Sequence, residues 1–135
     1  MILVVDATTV VAALIKNGAA RKVLLSGKFK LVAPEFLKEE VNKHVDYIAV
    51  KSGLTKEDLD LLIAMIFQEI DLVPAKEYEF EFDKAQKLIQ EDLKDVPYVA
   101  CYLALKCDGI WTNDSDYERK PGIKAIKTEY LLKLV

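Results

Sequence analysis

The feature that most constrains this chain is its first short run, Ile2-Leu3-Val4-Val5, which ends abruptly at Asp6. All four residues are apolar and most are β-branched. A strand with one wet face would alternate apolar and polar residues. A continuous run reads instead as a strand buried on both faces, the pattern of a parallel sheet covered by helices. The rest of the chain repeats the theme. Further short strands are expected at Phe29 to Ala33, Ile70 to Val73, Ile110 to Thr112 and Lys124 to Ile126. Helical stretches separate them. One is capped by Thr8 or Thr9 and runs to about Lys16, stopped by Asn17-Gly18, and a second spans Ala19 to Ser26. A longer one is opened by Pro34 and carries Phe36, Leu37, Val41, Val45 and Ile48 as its apolar stripe. Another follows the capping segment at Thr55. The last three are expected from about Tyr78 to Gln90, from Pro97 to about Lys106, and from Glu129 to Val135. Strands alternating with helices give an α/β domain with a mainly parallel central sheet and helices on both faces.

Composition narrows the function. With 135 residues the chain makes one domain, 1–135, large enough to bury a core without staples. An apolar fraction of 52% excludes a disordered tail. Two Cys and one His exclude a zinc-finger type of site. Cys101 and Cys107 sit in an apolar stretch and read as buried thiols in a reducing compartment. A net charge of -3 argues against nucleic-acid binding by bulk positive charge, so a metal or a local basic patch would have to supply any such attraction. The N-terminus lacks the basic region of a signal peptide, and no uncharged apolar run is long enough to span a bilayer. The expected location is cytoplasmic, with no membrane partner. There is no P-loop, no dinucleotide fingerprint and no arrangement for Ser/His/Asp or Cys/His catalysis.

What carries chemistry is the placement of acids. Asp6 directly follows the first strand, and Asp114 and Asp116 follow Ile110-Trp-Thr-Asn113. Ligands in parallel α/β sheets bind beyond the carboxyl ends of the strands. Acids gathered there repel one another, and a hard divalent cation is the usual compensation. Each also has a plainer reading. Asp6 could simply close a strand, and Asn, Asp and Ser all favour turns. On the Pro34 helix Glu39 points away from the apolar stripe, whereas Glu40 lies on its flank as a site candidate, or else reaches water or Lys43. Asp95 suits an N-cap, which can also aim a carboxylate into a cleft. Asp92 reads as a solvated loop charge. His44, the lone histidine, reads as a partly buried helix residue rather than a base. Trp111 and most Tyr and Phe residues read as core.

Four segments, VVDATTVVAAL, APEFLKEEV, DLKDVPYVACYLAL and GIWTNDSDY, occur in an order that resembles the PIN domain family, most closely its small VapC-like toxin members. The resemblance spans nearly the whole chain but is thin between about Gly53 and Phe82. It implies a three-layer α/β/α sandwich. It implies a ribonuclease dependent on Mg²⁺ or Mn²⁺, hydrolysing RNA phosphodiesters by a metal-activated water and leaving a 5′-phosphate and a 3′-hydroxyl. The family's acid positions fall on Asp6, Glu40, Asp95 and Asp114, with Asp116 as a further, less constant acid. Thr8 stands where the family often has Asn or Ser, and Thr112 matches a hydroxyl near the last acids. Metal ligation is thereby expected of Asp6, Asp95, Asp114 and Asp116. Substrate binding is expected of Thr8, Thr112, Arg119 and Lys120. Two groups of cations could attract RNA: Arg119, Lys120, Lys124 and Lys127, and Arg21, Lys22, Lys28 and Lys30. Ordinary solvated charge is the plainer reading of each. A small antitoxin protein and a homodimer are the implied partners. The alternatives are a PIN-type nuclease of RNA processing or ribosome maturation, and a non-catalytic module that binds RNA or protein. A haloacid-dehalogenase-type phosphatase would need an acid where Thr8 stands, and a receiver domain would need an adjacent acid pair.

Overall fold

The computed structural model describes residues 1–90, 93–115 and 117–135, with Arg119 described in its backbone alone. Asp116, Asp92 and the Arg119 side chain, all singled out above, lie outside the described residues.

Five strands form one sheet: β1 (Ile2–Val5), β2 (Lys30–Pro34), β3 (Ile70–Val73), β4 (Gly109–Trp111) and β5 (Ala125–Ile126). Their order is β3-β2-β1-β4-β5 and every pairing is parallel. β1 is central, and its run Leu3-Val4-Val5 is fully buried, as expected of a strand covered on both faces. Eight α-helices occur among the described residues: α1 (Ala7–Ile15), α2 (Ala19–Leu25), α3 (Leu37–Lys43), α4 (Val45–Ser52), α5 (Lys56–Gln68), α6 (Phe82–Ile89), α7 (Val96–Ala104) and α8 (Thr128–Leu132). α7 lies against β1, β2 and β4 with α6 beside it. α1 packs with α2, α3, α4 and α5, and α8 joins that group through α2. The result is a three-layer α/β/α sandwich around a parallel sheet. Among the described residues, no helix is long and apolar enough to cross a membrane.

Several local expectations change. The first helix is capped by Asp6 rather than by Thr8 or Thr9. Pro34 closes β2 rather than opening a helix. Pairing with β1 has already ended at Val4–Val32, so the missing proline N–H costs no ladder bond there. The helix expected from Pro34 to Ile48 divides at His44, whose backbone (φ -105°, ψ 9°) leaves helical geometry and caps both α3 and α4. Leu37, Val41 and Ile48 nevertheless share the core. The stretch from Tyr78 to Gln90 begins as a 3₁₀ turn at Glu79–Glu81 and becomes α-helical only at Phe82. Tyr78 is buried there and stacks edge-on with Phe82 at 5.7 Å.

Candidate active site at the carboxyl edge of the sheet

In the strand order β3-β2-β1-β4-β5, the chain winds one way from β1 and then returns to its other side at β4. The gap between β1 and β4 is therefore the topological switch point, where a parallel sheet opens a crevice at its carboxyl end. Register places Val5 beside Trp111, so the next residues, Asp6 and Thr112, face each other across that crevice.

Asp6 is only 6% exposed. It is the N-cap of α1, and its Oδ1 accepts the Thr9 N–H at 2.9 Å. Thr9 in turn donates its hydroxyl to the Trp111 carbonyl at 3.2 Å, tying α1 to the end of β4. Thr112 is buried and works both ways. Its hydroxyl accepts the Asp114 N–H at 3.0 Å and is hydrogen-bonded to the Asp6 carboxylate. Burial pushes the Asp6 carboxyl above the ordinary range. The hydrogen bonds from Thr112 and Thr9 oppose that shift, and the Asp114 charge adds to it. A carboxylate held dry beside a second carboxylate is a group that a cation would stabilise.

A cleft of 180 Å³ opens over these residues, lined by Asp6, Thr8, Glu40, Lys94, Asp95, Tyr98 and Asp114 among others. Thr8 is exposed at its rim. The structure thus brings together Asp6, Glu40, Asp95, Asp114 and Thr8 from segments far apart in the chain. Glu40 comes from α3, with its Oε1 accepting the Tyr98 hydroxyl at 2.7 Å. Asp95 stands at the N-cap position of α7, but its side chain makes no capping bond, so the expected cap is only positional. Tyr117 is buried, and the carboxylates of Asp95, Asp6 and Asp114 all act on its phenol. Burial first and these carboxylates second push the Tyr117 phenol far above its ordinary value. Burial and the Glu40 bond do the same to Tyr98. Both phenols stay protonated at any physiological pH, and that of Tyr98 donates to Glu40.

Other expected residues lie elsewhere. The Lys120 ammonium donates to the Ile89 carbonyl at 3.0 Å, satisfying the C-terminal end of α6, and does not line the cleft. Arg21 likewise spends its guanidinium on the Ala13 and Leu14 carbonyls at 2.8 and 3.1 Å. His44 is exposed at the α3–α4 junction, away from the cleft. The cleft instead contains two residues not singled out in the sequence, Lys94 and Tyr98, and the buried Tyr117, also not singled out, lies within reach of the charges of its acids. Lys94 lies one residue before Asp95, and Tyr98 falls in a helix whose apolar character masks a hydroxyl pointing at an acid. The only legible hint was their nearness to the acid pair of DLKDVPYVA.

The donor set is all oxygen, the chemistry that Mg²⁺ or Mn²⁺ prefers. Among the described residues, no three His, Cys, Asp or Glu side chains are grouped closely enough to enclose a metal unaided. Mg²⁺ does not require such a cage. It keeps several waters and is held through one or two carboxylates plus substrate phosphate. An open, buried-floored set of acids fits that mode.

Comparison with curated proteins returns no match. A model of the PIN domain family, whose members are in general nucleases, matches residues 4–133. The matched span includes the carboxyl half of the central strand, all four acids of the cleft and the closing strands β4 and β5. With the parallel three-layer fold and acids at its switch point, this shows that the chain belongs to the PIN domain family.

Proposed function

We propose that this chain is a divalent-metal-dependent ribonuclease that hydrolyses RNA phosphodiesters and acts as the toxin of a toxin–antitoxin pair. The observation that carries the reading is the convergence of Asp6, Glu40, Asp95 and Asp114 on one cleft at the switch point. Asp6, Asp95 and Asp114, with Asp116, would hold Mg²⁺ or Mn²⁺. The bound ion supplies Lewis acidity toward water and phosphate. Glu40, oriented by Tyr98, accepts the proton of the attacking water. Thr112 fixes both Asp6 and the backbone of Asp114, and so acts as a positioning residue. Lys94 brings positive charge to the scissile phosphate, and Thr8 meets the substrate at the rim. Attack of water on phosphorus breaks the P–O3′ bond, leaving a 3′-hydroxyl and a 5′-phosphate. The toxin role, a small antitoxin partner, a homodimer and a cytoplasmic location rest on the resemblance to small VapC-like proteins.

The test is cleavage of a panel of structured and single-stranded RNAs in Mg²⁺, Mn²⁺ or EDTA. Wild type should cut with metal and stop in EDTA, and Asp6→Asn should abolish cutting. Equal activity in the variant or in EDTA sinks the mechanism. Growth arrest on expression, relieved by a small co-encoded protein, separates a toxin from an RNA-processing enzyme.

A further inference from the structure

Among the described residues, concavities larger than the acid cleft lie away from it. Two adjoin each other between α1, α2 and α8, of 670 and 610 Å³, and share Gly18, Ala19 and Leu132 in their lining. We propose that this groove is the track for the backbone of single-stranded RNA on its way to or from the acid cleft. The proposal rests on the ribonuclease reading and deepens it.

Charge is the first argument. The groove is lined by Lys16, Arg21, Lys22 and Lys127 against Glu129, a local positive excess on a chain of net charge -3. Arg21 and Lys22 belong to one basic segment and Lys127 to another, and the fold merges them. The Arg21 guanidinium is committed to α1 carbonyls, so it contributes field more than contact. Lys127 pairs with Glu118 at 2.8 Å, but both side chains are about half exposed (49% and 43%). Such a pair is weak and screened, and its lysine exchanges readily onto a phosphate. Lys16 and Lys22 are exposed.

Continuity is the second argument. Thr8 lines the acid cleft and Ala12 the groove, one above the other on the exposed face of α1 at i and i+4, with Lys16 capping the same helix. That path is about 12 Å long at the helical rise. On the opposite wall Asn113 lines the groove and its neighbour Asp114 lines the cleft. Asn113 is held there because its Oδ1 accepts the Thr128 N–H at 3.2 Å. The cleft and the groove are thus bordered by the same two segments, α1 and the residues that follow β4.

Chemistry of the floor is the third. Ala12, Gly18, Ala19 and Ala20 leave room for a backbone, and no aromatic residue lines the groove among the described residues. The rest of the floor is apolar, with Ile15, Leu25 and Leu132, and the charge comes from the basic side chains in the lining. Stacking platforms read bases, whereas basic groups without a stacking ring follow phosphates. The track is therefore tolerant of sequence, and an acidic protein segment is its main rival as occupant.

The test is anisotropy with fluorescein-labelled oligouridylates of about four and about twelve nucleotides, run in EDTA over a salt series on the full chain. Wild type should prefer the longer RNA. Lys16→Ala/Lys22→Ala should weaken it at least about tenfold at low salt and reduce the slope of log K against log[salt] by about 1.4, two single-strand phosphate contacts. Ala12→Glu, which adds repulsion on an exposed helix face, should weaken it too. Lys51→Ala/Lys56→Ala, at the α4–α5 turn and outside the groove lining, should leave binding unchanged. If wild type binds and cleaves RNA but the groove variants match it in affinity and slope, the track is wrong and the ribonuclease reading stands. If wild type neither binds nor cleaves RNA, both fall. Binding of polyglutamate in place of RNA, lost in the same groove variants, would reassign the groove to an acidic protein.

Discussion

At the scale of single residues, the cleft depends on hydroxyls as much as on carboxylates. Tyr98 is the clearest case, because its hydroxyl donates to Glu40 and its ring packs against Phe36 at 5.3 Å between centroids. Tyr98→Phe removes only the oxygen. The expected outcome is a native melting temperature with kcat lowered about 10- to 100-fold, the usual cost of losing the group that orients a working side chain. The pH–rate profile should change as well, since Glu40 loses its donor, and an unchanged profile with full kcat would deny Tyr98 that role. Asp6 and Asp114 were legible in the sequence because each lies within three residues of an unmistakable strand, leaving the chain no freedom to take them elsewhere. Tyr98, Lys94 and Tyr117 were not. Their side-chain directions depend on how α7 and the segment after Asp114 meet the sheet, which composition does not encode. Lys120 and Arg21 misled for a related reason: a helix C-terminus competes with substrate for a cation, and the competitor is visible only once folded.

At the scale of elements, β4 and β5 hold the site's far wall, and Gly109 decides how closely they approach. A Cβ on Gly109 would meet Ile126 Cδ1 at 2.6 Å, Ile126 Cγ1 at 2.9 Å and the Lys124 carbonyl oxygen at 3.0 Å. The Ile126 methyl can swing aside, but the carbonyl cannot. Gly109→Ala should cost about 1–3 kcal/mol, read as a lowered midpoint in urea, by the overpacking that follows extra atoms in a full core. A glycine at the head of a three-residue strand carries no such message in sequence, where it reads only as the end of the preceding helix. The strands themselves were legible to within about a residue, because short β-branched runs have few other uses. The break at His44 was not. Residues 41–45 contain neither Pro nor Gly, and the apolar stripe continues across the break.

At the scale of the whole molecule, the core encloses groups that resist ionisation. Burial pushes the Cys101 thiol up to about 12 and the Cys107 thiol to about 11, and drives the Tyr98 and Tyr117 phenols upward as well. All four are neutral acids held protonated by the fold. The thiols' contribution to stability is whole below their ordinary value of 9.0 and is lost as pH rises toward 11 and 12, whereas that of the phenols is whole below their ordinary 10.0 and is lost only at higher pH. The unfolded chain ionises first, so it binds fewer protons in that window and stability falls with rising pH. Each group contributes a slope of at most about 1.4 kcal/mol per pH unit. Thermal melts between pH 8 and 11 should drop progressively, and Cys101→Ala/Cys107→Ala should flatten the early part of the drop. An alkaline-insensitive melting temperature would contradict the burial of these thiols. The strand order was not legible in the sequence, because nothing in a list of strands says that β4 returns to the far side of β1. Nor was the merging of two basic segments into one groove.

That return has a consequence in time. The central strand is synthesised well before the partner that completes the crevice, which begins only at Gly109. Asp6 and Asp114 line one cleft and are far apart in synthesis. A nascent or truncated chain that stops short of β4 carries the first acid without its opposite wall. Non-local parallel pairing of this kind is also slow to form. The acid cleft therefore stays incomplete until β4 and Asp114 have been made, and docking of β4 against β1 is the step that completes it.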